Sequence, residues 1–152
     1  MQVKEILRIK GSTLYTVNPS TTLADAVISM ADQDIGSVVV MAMGKLAGML
    51  TFREIIKVLA QRQQENRVGP TPTMSQILVS EVMNAAPAVA KPEMEVDELR
   101  AVMIESHQRY MPVMDGDMLL GVISFHDVAR AVLEEQAFEN RMLKGYIKNW
   151  PA

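Results

Sequence analysis

Apolar residues alternate along the chain between helical spacing and short, almost continuous runs, and the alternation follows a fixed order. Val3–Ile9 reads as a short N-terminal helix, with Ile6, Leu7 and Ile9 available for packing. Leu14–Val17 is a short strand, ended by Asn18-Pro19 because the residue before a proline is pushed out of the helical region. Thr21 or Thr22 then caps a helix reaching about Asp32, with Leu23, Ala26, Val27 and Met30 on one face. Gly36 opens a buried strand over Ser37–Met43, Gly44-Lys45 turns the chain, and Leu46–Leu50 returns as the paired strand. A helix follows from Arg53 to about Gln63, so the unit reads strand–helix–strand–strand–helix.

The same order returns after Gln64–Thr73, a polar stretch with two prolines and a glycine that reads as a linker. Ile77–Met83 leads into the second copy as Leu7–Ile9 leads into the first. Val89–Ala90 predicts a short strand and Val96–Glu105 a helix. Tyr110–Met114 and Met118–Ile123 predict a hairpin turning at Asp115-Gly116. A last helix runs from about His126 to Gln136, and the pattern allows it to extend to Leu143. Beyond the repeat, Phe138, Met142, Leu143, Tyr146 and Ile147 recur near helical spacing, Gly145 predicts a break, and Trp150-Pro151 stand near the end. A tail of this kind docks on its own domain as a lid or on a second subunit.

The two copies superpose in sequence at an offset of 73: Pro92 falls on Pro19, Met103 on Met30, Val113 on Val40, Met114 on Met41 and Phe125 on Phe52, with no gap across Pro19–Glu54. A tandem repeat is the first fact to explain. Its best-defined piece is GVISFHD, Gly121–Asp127, matched by GMLTFRE, Gly48–Glu54. In each, an apolar run of strand length contains a glycine that lets another segment pass close by, and then meets the [ST]-x-x-[DE] spacing of a capping box. The hydroxyl takes up an orphan N–H and the acid suits the positive helix end. The same physics can hold a phosphate and a ribose diol, and one copy alone does not decide between cap and site.

Composition narrows the field. At 152 residues the chain buries about two-thirds of its unfolded surface, while each half alone would be marginal, so the halves share a core. A net charge of −3 with no basic run argues against a nucleic-acid partner. The absence of cysteine removes disulfides, zinc–thiolate sites and a cysteine nucleophile, and two distant histidines make a metal site improbable. No apolar stretch approaches the ~20 residues of a membrane span, and MQVKEILRIK lacks the core of a signal peptide, so the expected location is the cytoplasm. The thirteen methionines include Met30, Met41, Met103, Met111 and Met114 at core-like positions.

Pro19 and Pro92 before a helix, MADQDIGSVVV and MIESHQRYMPV after it, and then G-h-h-[TS]-x-x-[DE] twice over resemble the cystathionine-β-synthase (CBS) domain in tandem. The resemblance covers roughly residues 7–136. It implies an α/β fold of two βαββα repeats in one CBS pair with helical extensions at both ends: a first repeat at 7–63, a linker at 64–76, a second repeat at 77–136 and a tail at 137–152. It also implies a cleft on each side of a pseudo-twofold axis for an adenosine ligand. One takes Thr16, Val17, Ile35, Gly36 and Ser37 with Ser124, His126 and Asp127. There Asp127 would accept from the ribose hydroxyls, Ser124 would donate to a phosphate or ribose oxygen, and the backbone near Val17 would read adenine. The other, expected to be weaker, takes Val89, Ala90, Gln108, Arg109 and Tyr110 with Thr51, Arg53 and Glu54. Its Glu54 departs from the family aspartate, and Arg53 and Arg109 suit phosphate. The implied function is regulatory binding of AMP, ADP, ATP or NAD without catalysis, in a homodimer acting on a partner protein. The alternatives are a structural dimerisation module with empty clefts and a sensor of S-adenosylmethionine. An enzyme would need a nucleophile–base pair or a metal cluster, and the sequence offers only Asp127 and His126.

Overall fold

A computed structural model describes residues 1–11, 13–65 and 73–148, without the side chains of residues 147 and 148. Most of the expected linker and the Trp150-Pro151 end lie outside the described residues, as does the side chain of Ile147. The first half runs α1 (Val3–Lys10), β1 (Thr16–Val17), α2 (Leu23–Gln33), β2 (Ser37–Ala42), β3 (Lys45–Thr51) and α3 (Phe52–Glu65). A 3₁₀ turn at Met74–Gln76 leads into α4 (Val79–Val82), α5 (Val96–Ser106), β4 (Tyr110–Asp115), β5 (Met118–Ser124) and α6 (Phe125–Lys148).

The repeat is visible in the ladders. β1 lies parallel to β2, with Thr16 opposite Val39, and β2 pairs antiparallel with β3. β4 and β5 pair in the same way, and both hairpins shift register at matching places, between Val40 and Met41 and between Val113 and Met114. The strand expected at Val89–Ala90 is reduced to one parallel bridge between Ala90 and Val113. Each register shift gives the returning strand one extra residue, and both turns sit one residue from where spacing puts them, the first earlier and the second later. The first hairpin turns at Met43-Gly44, inside the Ala42–Lys45 pair, with φ of 53° and 75°. The second turns at Gly116-Asp117, inside Asp115–Met118, with Gly116 at φ 60°. Positive φ at the first loop residue matches the twist of the flanking strands.

Thr22, one of the two expected caps, accepts from the Asp25 N–H at 3.1 Å and starts α2. The break expected at Gly145 is absent, and α6 runs through it to Lys148. Arg141, Met142, Leu143 and Lys144 just before it are strong helix formers and carry one glycine, whose cost is about 1 kcal/mol.

Two apolar cores form, and each borrows its leader from the other half. Val3 and Ile6 of α1 pack with Leu99, Met103, Met111 and Ile123 of the second half. Val79 of α4 packs with Leu23, Met30, Val40 and Leu50 of the first. The backbone repeats the exchange: the Val3 and Lys4 N–H groups donate to Met94 and Pro92 carbonyls, and the Val79 and Ser80 N–H groups to Thr21 and Pro19. The leaders cross close over the motif glycines. A Cβ on Gly48 would stand 2.6 Å from the Asn84 carbonyl oxygen, and one on Gly121 would stand 2.7 Å from a Leu7 methyl. Backbone therefore passes over Gly48, whereas a side chain passes over Gly121.

Candidate functional site

Both helices that follow the hairpins start at the seam between the halves. The Phe52 N–H donates to the Gly36 carbonyl at 3.2 Å, and the Phe125 N–H to the Arg109 carbonyl at 2.8 Å, the same contact displaced by 73 in both partners. On either side of this seam a cleft opens.

The first cleft, about 650 Å³, is lined from the sequence-predicted set by Ile35, Gly36, Ser37, Ser124 and His126. Thr16 and Val17 lie outside the lining, since β1 turns Val17 toward the first core, and the neighbouring Thr13, Leu14 and Tyr15 line it instead. Asp127 stands behind the wall. Its Oδ2 accepts from the Ser124 N–H at 2.9 Å and from Lys10 Nζ at 2.6 Å, while the Asp127 N–H donates to Ser124 Oγ at 3.1 Å. The capping box expected of Ser124 and Asp127 is complete in both directions. Burial pushes the Asp127 carboxyl up, but the hydrogen bond from Lys10, the Ser124 N–H and the nearby ammonium charge together hold it below its ordinary value. The group is therefore ionised at neutral pH.

The second cleft, about 570 Å³, brings together Thr51, Arg53, Glu54, Gln108, Arg109 and Tyr110, six of the eight residues expected there. Val89 and Ala90 do not line it: Ala90 is fully buried and gives its N–H to the Pro112 carbonyl. Glu54 Oε1 accepts from both the N–H and the hydroxyl of Thr51, at 2.8 and 2.9 Å. Arg53 Nη1 donates to the His107 carbonyl at 3.4 Å. The Gln108 amide is spent on structure, bonding both the N–H and the carbonyl of Ala88 at 2.9 Å. Lys57 and His107 also line this cleft.

Arg109 and Tyr110, expected only in the second cleft, line both. The reason is at Gly36, where a Cβ would fall 2.0 Å from Tyr110 Oη and 2.7 Å from Phe52 Cε2. The Tyr110 ring crosses the seam over Gly36 and forms a wall common to the two sites. The space that Gly36 leaves is taken by Tyr110 and Phe52. Lys10 is a further lining residue that the sequence does not point to, because it precedes the gapless alignment at Pro19–Glu54 and no motif marks it. Tyr110 had a signal, since the offset of 73 places it on Ser37 at the mouth of the opposite cleft. Among the described residues, no group of three or more His, Asp or Glu is placed to hold a metal ion. No described helix is long and apolar enough to cross a membrane.

The CBS-domain family model matches residues 3–61 and again 79–134. The chain belongs to the CBS-domain family. It is a tandem CBS pair of α/β fold, and the family match includes α1, the leader that packs on the opposite repeat. A CBS domain-containing protein of Bacillus subtilis, YhcV, is 32% identical over 115 residues, which is 75% of each chain. Among solved structures, the CBS-domain protein ATU1752 of Agrobacterium tumefaciens superposes with a TM-score of 0.76 at 28% identity, covering 86% of this chain and 98% of that one. CBSX2 in complex with AMP superposes with a TM-score of 0.70 over 89% of this CBS pair and 98% of CBSX2, at 20% identity, a likeness of fold.

Proposed function

We propose that this CBS pair is a regulatory sensor of adenine nucleotides, taking AMP, ADP, ATP or the larger NAD, with no reaction of its own and with its output passed to a partner protein. The observation that carries the reading is charge. The chain as a whole is net −3, yet the second cleft is walled by Arg53, Lys57 and Arg109 against Glu54, and the first presents Lys10 and Arg109 on its lining beside Asp34, with Asp127 paired to Lys10 behind the wall. Such walls favour an anion, and the N-termini of α3 and α6 add their dipoles. In the first cleft the adenine lies along Ile35-Gly36-Ser37, Ser124 and His126 face the phosphates, and the ribose hydroxyls reach Asp127. The Oδ1 atom of Asp127 carries no bond among the described residues, because Lys10 and Ser124 both use Oδ2. In the second cleft Glu54 stands where the family has aspartate, and its carboxylate projects one carbon–carbon bond further, which makes this the weaker site for a ribose. The AMP complex of CBSX2 supports the reading at the level of the shared fold.

The working unit is a homodimer. Ile56 and Leu59 on α3 and Leu133 on α6 are each at least half exposed, and so are Phe138, Met142 and Leu143 on the outer turns of α6. Burying that surface against a second copy is favourable at about 25 cal/mol per Å² of apolar area.

One observation favours a purely structural reading: Asp127 is already bonded by Lys10 and Ser124 without any ligand. Thermal unfolding separates the two. A ligand at ~100 times its dissociation constant adds ~2.7 kcal/mol, which for a domain of this size raises the melting point by roughly 5–10 °C. AMP, ADP, ATP, NAD and S-adenosylmethionine are each added at millimolar level. A shift with at least one of the four nucleotides is expected. Five unmoved melting curves would leave the structural module standing.

A further inference from the structure

The leader helix supplies the first cleft with a group that the repeat itself does not provide. Lys10, in the last turn of α1, donates from Nζ to the Val122 carbonyl at 2.7 Å and to Asp127 Oδ2 at 2.6 Å, and it lines the cleft. An ammonium carries three donors, so two are committed and one remains for a ligand oxygen. Aligned on the equivalent backbone bonds of Val3 and Val79, the position that matches Lys10 in the second copy is Ala86, which carries no charge, while Met83 matches Leu7, each packing over a motif glycine. At the matching edge of the first sheet, the Asn84 backbone makes the bridge to Met49. On the second sheet no such bridge forms among the described residues, and the Lys10 ammonium donates to the Val122 carbonyl. The charge is thus a property of one cleft, placed by α1, and not of the fold.

We propose that Lys10 sets the ligand class of the first cleft: it reads the phosphate of an adenosine ligand, so the cleft selects anionic adenosine phosphates over uncharged adenosine and rejects the cationic sulfonium of S-adenosylmethionine. The inference rests on the nucleotide-sensor reading and names the chemistry by which that site discriminates. The other charged groups lining the cleft are Arg109 and Asp34, with His126 beside Ser124. Arg109 is shared with the second cleft and Asp34 opposes an anion, which leaves Lys10 as the cation belonging to the first cleft alone. Because Lys10 comes from α1, a bound phosphate also ties that leader helix to the second repeat.

The test is equilibrium dialysis of adenosine, AMP, ATP and S-adenosylmethionine against the full chain and against Lys10→Met and Lys10→Arg, followed at the site that Asp127→Ala removes. Lys10→Met should weaken ATP and AMP by about 10- to 100-fold, the loss expected for a charge-assisted hydrogen bond. Adenosine should change by no more than about twofold, S-adenosylmethionine should gain, and Lys10→Arg should keep most of the preference for phosphate. Equal weakening of adenosine and ATP would mean that Lys10 only positions Asp127, and would overturn the proposal. So would unchanged ATP affinity. If neither adenosine nor ATP binds the unmodified chain, the sensor reading falls first and this inference with it. Should Lys10→Met fail to fold, the salt dependence of ATP binding to Lys10→Arg against the unmodified chain decides, since a retained slope is expected and a lost one contradicts.

Discussion

Gly36 shows how one side chain's absence shapes both sites. The Tyr110 hydroxyl occupies the place where its Cβ would be, with the Phe52 ring behind it. Gly36→Ala must therefore push the Tyr110 ring off the seam, and overpacking of this kind costs about 1–3 kcal/mol. A lower melting point is expected, together with altered binding in both clefts, since Tyr110 lines each. An unchanged melting point in Gly36→Ala would mean that the ring moves freely and does not wall the clefts. Sequence alone placed this glycine at the opening of a strand and in the first cleft. It could not reveal a tyrosine 74 positions away arriving from the other repeat. Lys10 was illegible for a related reason: its partners Val122 and Asp127 are more than a hundred residues distant, and a lone lysine at a helix end carries no spacing signal. Ser124, Asp127, Thr51 and Glu54 were legible because capping is local, so four residues of spacing contain the whole interaction.

At the scale of elements, hydrophobic period placed every long helix and all four hairpin strands, because those depend on which face is buried. It misplaced both hairpin turns by one residue, in opposite directions, since the pairs that close the loops, Ala42–Lys45 and Asp115–Met118, depend on cross-strand pairing that no single strand encodes. The reading of Gly145 as a break failed because the helix formers around it outweigh one glycine in α6. That continuous helix carries a prediction. Phe138, Met142 and Leu143 are 56–61% exposed, so they are not docked on their own domain. Truncation after Gln136 should raise the dimer dissociation constant, seen as a shift toward monomer in sedimentation at micromolar concentration, with little change in the unfolding of the repeats. An unchanged sedimentation profile would remove α6's outer turns from the interface.

Across the whole molecule, the exchanged leaders α1 and α4 tie the halves together. The second core is incomplete without Val3 and Ile6, and the first without Val79. Neither repeat closes its own core, and the clefts on the seam are held by that exchange as much as by the sheets. The central claim is that the first cleft receives an adenosine ligand through Asp127, and calorimetric titration of ATP into the unmodified chain and into Asp127→Ala tests it most directly. Loss of the charged acceptor for the ribose hydroxyls should cost ~1.5–3 kcal/mol, a rise in dissociation constant of roughly 10- to 150-fold. Glu54→Ala, whose carboxylate is already turned onto Thr51, should leave the tighter site almost unchanged. A cap without a ligand would instead lose about 1 kcal/mol of stability in either variant and leave affinity alone. Saturable ATP binding that weakens with Asp127→Ala and survives Glu54→Ala is the expected result; Asp127→Ala binding ATP as tightly as the unmodified chain would contradict it.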